Sequence, residues 1–218
     1  MATATSDGNI FSCRANALKH NEGLTHDIAK AFDDWAGHWS SHYSSGGAMA
    51  GRIVRFGYAL ADLDDKRGTV LDFGCGTGEI SRALADQGWQ VTGCDLSPKM
   101  LLKARDADPD KKVTWAPIDA DRPIPLPFAN KSFVAVYSSS VFEYLSEPQD
   151  VIKDIHRSLI PGGWLFFTVP DPRHPIRKKE FIKLLFAKFP PFWALIKRTR
   201  WQNQFRYLRI SVNRPPVV

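Results

Sequence analysis

The sequence predicts an α/β fold, a doubly wound three-layer sandwich around a mainly parallel sheet. Three observations carry that expectation. Short β-rich runs alternate with helical segments of about 10–15 residues, the spacing of βαβ units. Each of those runs ends in Gly, Asp or Ser. One of them leads straight into a glycine-rich turn: Val70 to Ile80 reads VLDFGCGTGEI. Right-handed crossovers then wind the sheet in both directions and put ligands at the carboxyl ends of its strands.

Residues 1–23 lack a basic segment followed by an apolar stretch, so they do not read as a signal peptide and are expected to be a flexible lead-in. Residues 24–39 read as a helix that presents Trp35 and Trp39 on one face. Ser44-Ser45-Gly46-Gly47 is a joint, and 48–64 is a second helix with Ile53, Phe56, Leu60 and Leu63 along one side. Together, 24–66 form an N-terminal helical lid. The core, 67–172, has expected strands near 69–73, 90–94, 112–116, 133–138 and 163–169. Helices are expected near 78–87, 97–106 and 147–159. The last carries Val151, Ile152, Ile155 and Leu159 on one face and stops at Pro161-Gly162-Gly163. Residues 173–218 form a basic, aromatic C-terminal segment, expected to be helical.

A chain of 218 residues buries roughly 70% of its unfolded surface, enough for one sizeable core. No run of about 18 uncharged apolar residues suggests a transmembrane helix. The three cysteines, at 13, 75 and 94, lack metal-ligand spacing and read as reduced thiols of a cytoplasmic protein, with no metal site. The net charge of +6 is uneven: residues 173–218 hold twelve Lys/Arg and one acid, whereas residues 1–172 carry about −5. The basic character belongs to the tail.

A strand, a glycine loop and a helix in succession bind nucleotides, but Gly74-x-Gly76-x-Gly78 does not say which. Asp72 narrows the choice. It ends the strand, where its carboxylate would face the ligand. Two like unit charges about 4 Å apart at an effective dielectric near 20 repel by about 4 kcal/mol. A pyrophosphate is therefore disfavoured, and NAD with it. A nucleoside carrying cationic groups is favoured, and S-adenosylmethionine, with an ammonium and a sulfonium, fits. The glycines allow close backbone approach to it. Asp95, at the end of the second strand, can accept hydrogen bonds from both ribose hydroxyls, and would do so for any nucleoside. Asp119, after the third strand, can accept from an adenine amine. Glu79 reads as a first-turn acid that suits the helix dipole.

The ordered segments VLDFGCGTGEIS, VTGCDLSPKML, IDAD, SSSVFEYL and SLIPGGWLFFTVP resemble the class I S-adenosylmethionine-dependent methyltransferases, over about residues 30–170. The resemblance implies a Rossmann-like core with S-adenosyl-L-methionine as cofactor. It implies that Asp72, Gly74, Cys75, Gly76 and Gly78 hold the methionyl end. Asp95, with Leu96 and Met100 beside it, would take the ribose, and Asp119 with Ala120 the adenine edge. Ser138 and Ser139 would line the methyl-donor pocket. In relatives the N-terminal helices form a lid over donor and acceptor, so Trp39 and Tyr43, with Tyr144, are expected on the acceptor side; packing of the N-terminal aromatics onto the sheet domain is an equally open reading. Relatives often carry Glu-His where this chain has Glu143-Tyr144, so a histidine base is not available there. The family sheet has seven strands. After Val169 only 49 residues remain, which leaves the fifth strand as an apolar edge to be covered by the tail or by a second chain, as in a homodimer.

Methyl transfer needs alignment and a dry pocket, and a base only if the nucleophile arrives protonated. His38, His42 and His174 are the candidates, and His174 has the best expected position. His156 reads as structural or solvated. Residues 177–210 mix basic and aromatic side chains around Pro190-Pro191. Such a segment suits a substrate lid or peripheral contact with an anionic membrane surface, on the inner face of a membrane. It can also stack on RNA, although no separate RNA-binding motif accompanies it and nucleic acid is disfavoured. The expected function is methyl transfer to a small-molecule or lipid-linked acceptor. The alternatives are an RNA methyltransferase and a non-catalytic, truncated binding protein.

Overall fold

The computed structural model describes residues 24–44, 47, 49–63, 68–170 and 205–211. Helix α1 (Leu24–Trp39) runs into a short 3-10 turn, Ser40–Tyr43, and α2 spans Ala50–Ala61. The alternating core then follows: β1 (Thr69–Phe73), α3 (Glu79–Asp86), β2 (Gln90–Asp95), α4 (Pro98–Asp106), β3 (Val113–Pro117) and β4 (Phe133–Ser139). After β4 come a 3-10 turn at Phe142–Tyr144, α5 (Pro148–Ser158), β5 (Leu159–Pro170) and β6 (Phe205–Ser211).

The six strands form one sheet in the order β3-β2-β1-β4-β5-β6. The first five are parallel and β6 is antiparallel to β5. The strand order reverses between β1 and β4, so a crevice opens beyond their carboxyl ends, where open α/β sheets take ligands. Period-two alternation splits the apolar side chains between two faces. One face buries Leu71, Phe73, Val136, Leu165 and Phe167 with Val151 and Ile155 of α5. The other buries Val70, Ala135, Tyr137 and Phe166 with Phe56 and Leu60 of α2 and Ile80 and Leu84 of α3. The expected three layers are present.

Two elements differ from expectation. Strand β5 begins at Leu159, directly after α5, because its pairing with β4 skips from Phe133–Leu159 to Ala135–Trp164. The extra residues form an irregular stretch at Ile160–Gly163, and Gly162 takes a positive φ of 81° there. The C-terminal segment contributes a strand where the sequence predicts helix: 205–211 pair along β5 from Trp164–Ser211 to Pro170–Phe205. The tail thereby lies along the β5 edge. His174 and the remainder of 177–204 fall outside the described residues. No helix among the described residues is long and apolar enough to cross a membrane.

Candidate functional site

The glycine loop is held open by its backbone. Gly74 and Cys75 both donate to the Cys94 carbonyl, at 2.8 and 2.9 Å, which ties the loop to the end of β2. Gly74, Gly76 and Gly78 all have positive φ, 76°, 55° and 79°. A Cβ on Gly74 would sit 2.2 Å from Val141 Cγ2, and one on Gly78 2.3 Å from the Trp115 ring. Only glycine meets both demands.

Two carboxylates flank this loop. Asp72 is 2% exposed, and Ser81 donates to its Oδ2 at 2.5 Å. Burial pushes its acid up to about 7, against the opposing hydrogen bonds from Ser81 and Tyr137. Asp95 accepts from Gly76 N at Oδ2 and from Ser97 N at Oδ1, both at 2.8 Å. Desolvation raises its pKa too, and these backbone donors oppose the rise. Two acids this short of solvent favour a cation and hydroxyl donors, not a phosphate. Burial also raises the thiols of Cys75 and Cys94, so both stay protonated and are poor nucleophiles.

A cavity of about 780 Å³, mouth included, opens on this loop. Of the residues expected at the site, it gathers Asp72, Gly74, Cys75, Gly76, Asp95, Leu96, Met100, Ser139, Trp39, Tyr43 and Tyr144. Others stand elsewhere. Ser138 points away, fully buried, and donates to the Phe73 carbonyl at 2.9 Å. The pleat that turns Ser138 inward turns Ser139 to the cavity. Gly78 shapes the turn behind the wall. Asp119 is exposed and accepts from Asp121 N, while its neighbour Ile118 lines the cavity. Ala120 is half-buried and outside the lining.

The lining also includes residues the sequence did not mark: Ile28, Phe32, Phe73, Ile80, Ile118, Ser140, Val141 and Leu145. Ile28 and Phe32 are spaced i, i+4 on α1 and share the face of Trp39, a pattern visible in the sequence. Their ring contacts build an aromatic cover. Phe32 meets Trp39 at 5.6 Å and Tyr144 at 5.3 Å, edge to face in both cases. On the opposite wall, Arg52, 3% exposed, donates to Ser139 Oγ at 2.8 Å. Burial pushes the Tyr43 phenol up to about 12, so it keeps its proton at neutral pH.

Known proteins resemble this chain over the same core. Residues 71–167 match the methyltransferase domain family. The chain is 34% identical over 142 residues to a malonyl-acyl-carrier-protein O-methyltransferase of Enterobacter lignolyticus, covering 65% of this chain and 52% of that protein. It is 31% identical over 139 residues to a ubiquinone biosynthesis O-methyltransferase of Hydrogenovibrio crunogenus, covering 63% and 55%. The chain thus spans about half the length of the curated relatives it matches. Among solved structures, a Haemonchus contortus phosphoethanolamine N-methyltransferase in complex with S-adenosyl-L-methionine superposes with a TM-score of 0.55 at 26% identity, covering 69% of this chain and 36% of that one. By the matched domain, the sheet order and these relatives, residues 71–167 form a methyltransferase domain of the class I S-adenosylmethionine-dependent type.

Proposed function

We propose that the cavity binds S-adenosylmethionine and that the protein transfers its methyl group to a small-molecule acceptor. One observation carries the reading: Asp72 and Asp95, at the ends of neighbouring strands, flank one glycine loop and line one cavity. The residues fit the cofactor. Asp95 offers each carboxylate oxygen to a ribose hydroxyl beside the N–H it already accepts. Asp72 supplies negative charge where the methionyl ammonium would lie. The loop's missing Cβ atoms leave room for the nucleoside. When bound, S-adenosylmethionine supplies an electrophilic methyl carbon on a sulfonium.

This chain's own residues then position and exclude. Ile28, Phe32 and Trp39 of α1, with Leu145 and Tyr144 across from them, wall off water. Tyr43 orients an acceptor by donating a hydrogen bond. It is too weak an acid to act as a base at neutral pH. Tyr144 stands where many relatives place a histidine, so an acidic acceptor, already ionised or nearly so, suits the site. Two of the relatives, a malonyl-acyl-carrier-protein O-methyltransferase and a ubiquinone biosynthesis O-methyltransferase, are named for O-methylation, which supports an oxygen acceptor.

The test is transfer of label from methyl-tritiated S-adenosylmethionine to fractionated acceptors. The reading expects label in small-molecule or lipid fractions. Label in RNA would favour the RNA methyltransferase, and no label in any fraction, despite tight cofactor binding, would favour a non-catalytic binder.

A further inference from the structure

The cavity's floor and its cover are joined by an acid that does not itself line the cavity. Asp33 lies on α1, one residue beyond Phe32, which lines the cavity. Its Oδ1 accepts from Ser97 Oγ at 2.5 Å and from Lys99 N at 3.0 Å. Ser97 is fully buried and caps α4: its Oγ accepts from Met100 N at 3.1 Å. The hydroxyl therefore gives its proton to Asp33 and its lone pair to α4. Pro98 follows at the first helical position, so α4 has no donor of its own to spare there. Asp33 thus supplies a second cap from another helix, at the end where the dipole favours negative charge.

The chain of bonds continues into the site. Ser97 N donates to Asp95 Oδ1, and Gly76 N donates to Asp95 Oδ2. From α1 to the glycine loop, the sequence of contacts is Asp33, Ser97, Asp95, Gly76. Farther along α1, His26 meets Asp121 at 2.7 Å, but both side chains are more than half exposed and that pair is weak. Asp33 is the half-buried one, and it has two donors on a single oxygen.

We propose that Asp33 is a positioning residue that couples the seating of α1 to the orientation of Asp95, so that closing the aromatic cover and gripping the ribose are one event. The inference rests on the cofactor reading above. Coupling of this kind is reciprocal: a ligand that engages Asp95 steadies α1, and loosening α1 weakens the ligand.

The experiment compares wild type, Asp33→Ala, Asp33→Asn and Asp34→Ala. S-adenosylhomocysteine affinity is read by calorimetry, and amide exchange is read over 24–39 and 95–100. Asp33→Ala removes the acceptor and should weaken S-adenosylhomocysteine about tenfold. It should also speed exchange in both segments of the ligand-free protein. Asp33→Asn keeps an oxygen at the same place and should recover affinity to within about threefold of wild type. Asp34, exposed and paired with Lys30 at 3.2 Å, should leave everything unchanged as alanine. Affinity of Asp33→Ala within twofold of wild type would overturn the proposal. So would faster exchange confined to 24–39, because the tie would then stop short of Asp95. If wild type itself takes no S-adenosylhomocysteine, the cofactor reading falls, and the exchange at 95–100 still decides whether Asp33 clamps that turn.

Discussion

Replacing Asp72 with asparagine should stabilise the empty protein, and should do so increasingly as pH rises from about 4 to above 7. The carboxyl is raised by burial from 3.8 to about 7. In the unfolded chain it titrates near its ordinary value. Below about pH 4 both states hold the proton and the group is neutral toward folding. Between about pH 4 and 7 the unfolded chain releases the proton while the folded protein keeps it, so stability falls as pH rises. Above pH 7 both states are ionised and the full penalty stands. At about 1.4 kcal/mol per tenfold, the penalty reaches about 4 kcal/mol by pH 8 and is about 1.5 kcal/mol at pH 5. Asparagine keeps an oxygen for the Ser81 hydroxyl and carries no charge to bury. Urea unfolding of the ligand-free Asp72→Asn protein should therefore show a gain at pH 8 that exceeds the gain at pH 5 by about 2.5 kcal/mol, a midpoint difference of about 1 M for urea slopes of 2–3 kcal/mol/M. Equal gains at both pH values, or a loss at pH 8, would refute the claim that the native site holds an uncompensated acid. The same variant should bind S-adenosylhomocysteine less tightly, because the charge that costs stability is the one that meets the ammonium.

Other substitutions separate binding from folding. Asp95→Ala removes the acceptors offered to the ribose and should weaken S-adenosylhomocysteine more than tenfold by calorimetry, since hydrogen bonds to a charged group contribute about 1.5–3 kcal/mol. Gly74→Ala meets Val141 at 2.2 Å and a φ of 76°. It should destabilise the fold in urea, and adding Val141→Ala should recover the steric part but leave roughly 1–2 kcal/mol of backbone strain. Asp154, buried on α5, accepts from Leu126 N and from Arg157 Nε, both at 2.6 Å. Asp154→Ala should cost about 1–3 kcal/mol of stability by leaving that N–H unpaired, with cofactor affinity unchanged.

The core was legible because its signals are local. Asp72 and Asp95 sit at the ends of runs whose apolar periodicity marks them as strands, and the glycines between carry the backbone demand in their identity. The Ser-Pro pair at 97–98 announces α4 in the same way. What was not legible depends on docking. Asp33 reads as one more acid on an exposed helix until α1 is laid across the start of α4. Ser138 and Ser139 differ only in which side of the pleat they take, and a shift of one residue exchanges them. Residues 205–211 (FRYLRIS) interleave two arginines with apolar residues, a pattern that suits a basic helix equally well. Their strand state follows from pairing with the β5 edge, which no window of seven residues contains. Strand β5 starts early because α5 ends directly against it, and the bulge at Ile160–Gly163 absorbs the misfit.

With Asp72 and Asp95 beside the glycine loop, this cavity should take a cationic nucleoside and refuse a pyrophosphate. Calorimetric titration with S-adenosylhomocysteine, with NAD as the control ligand, reads that preference. The geometry predicts micromolar binding of S-adenosylhomocysteine, weakened more than tenfold in Asp95→Ala, and no heat from NAD. Equal or tighter binding of NAD would contradict the role assigned to Asp72. Absence of S-adenosylhomocysteine binding by the folded protein would contradict the cofactor assignment itself.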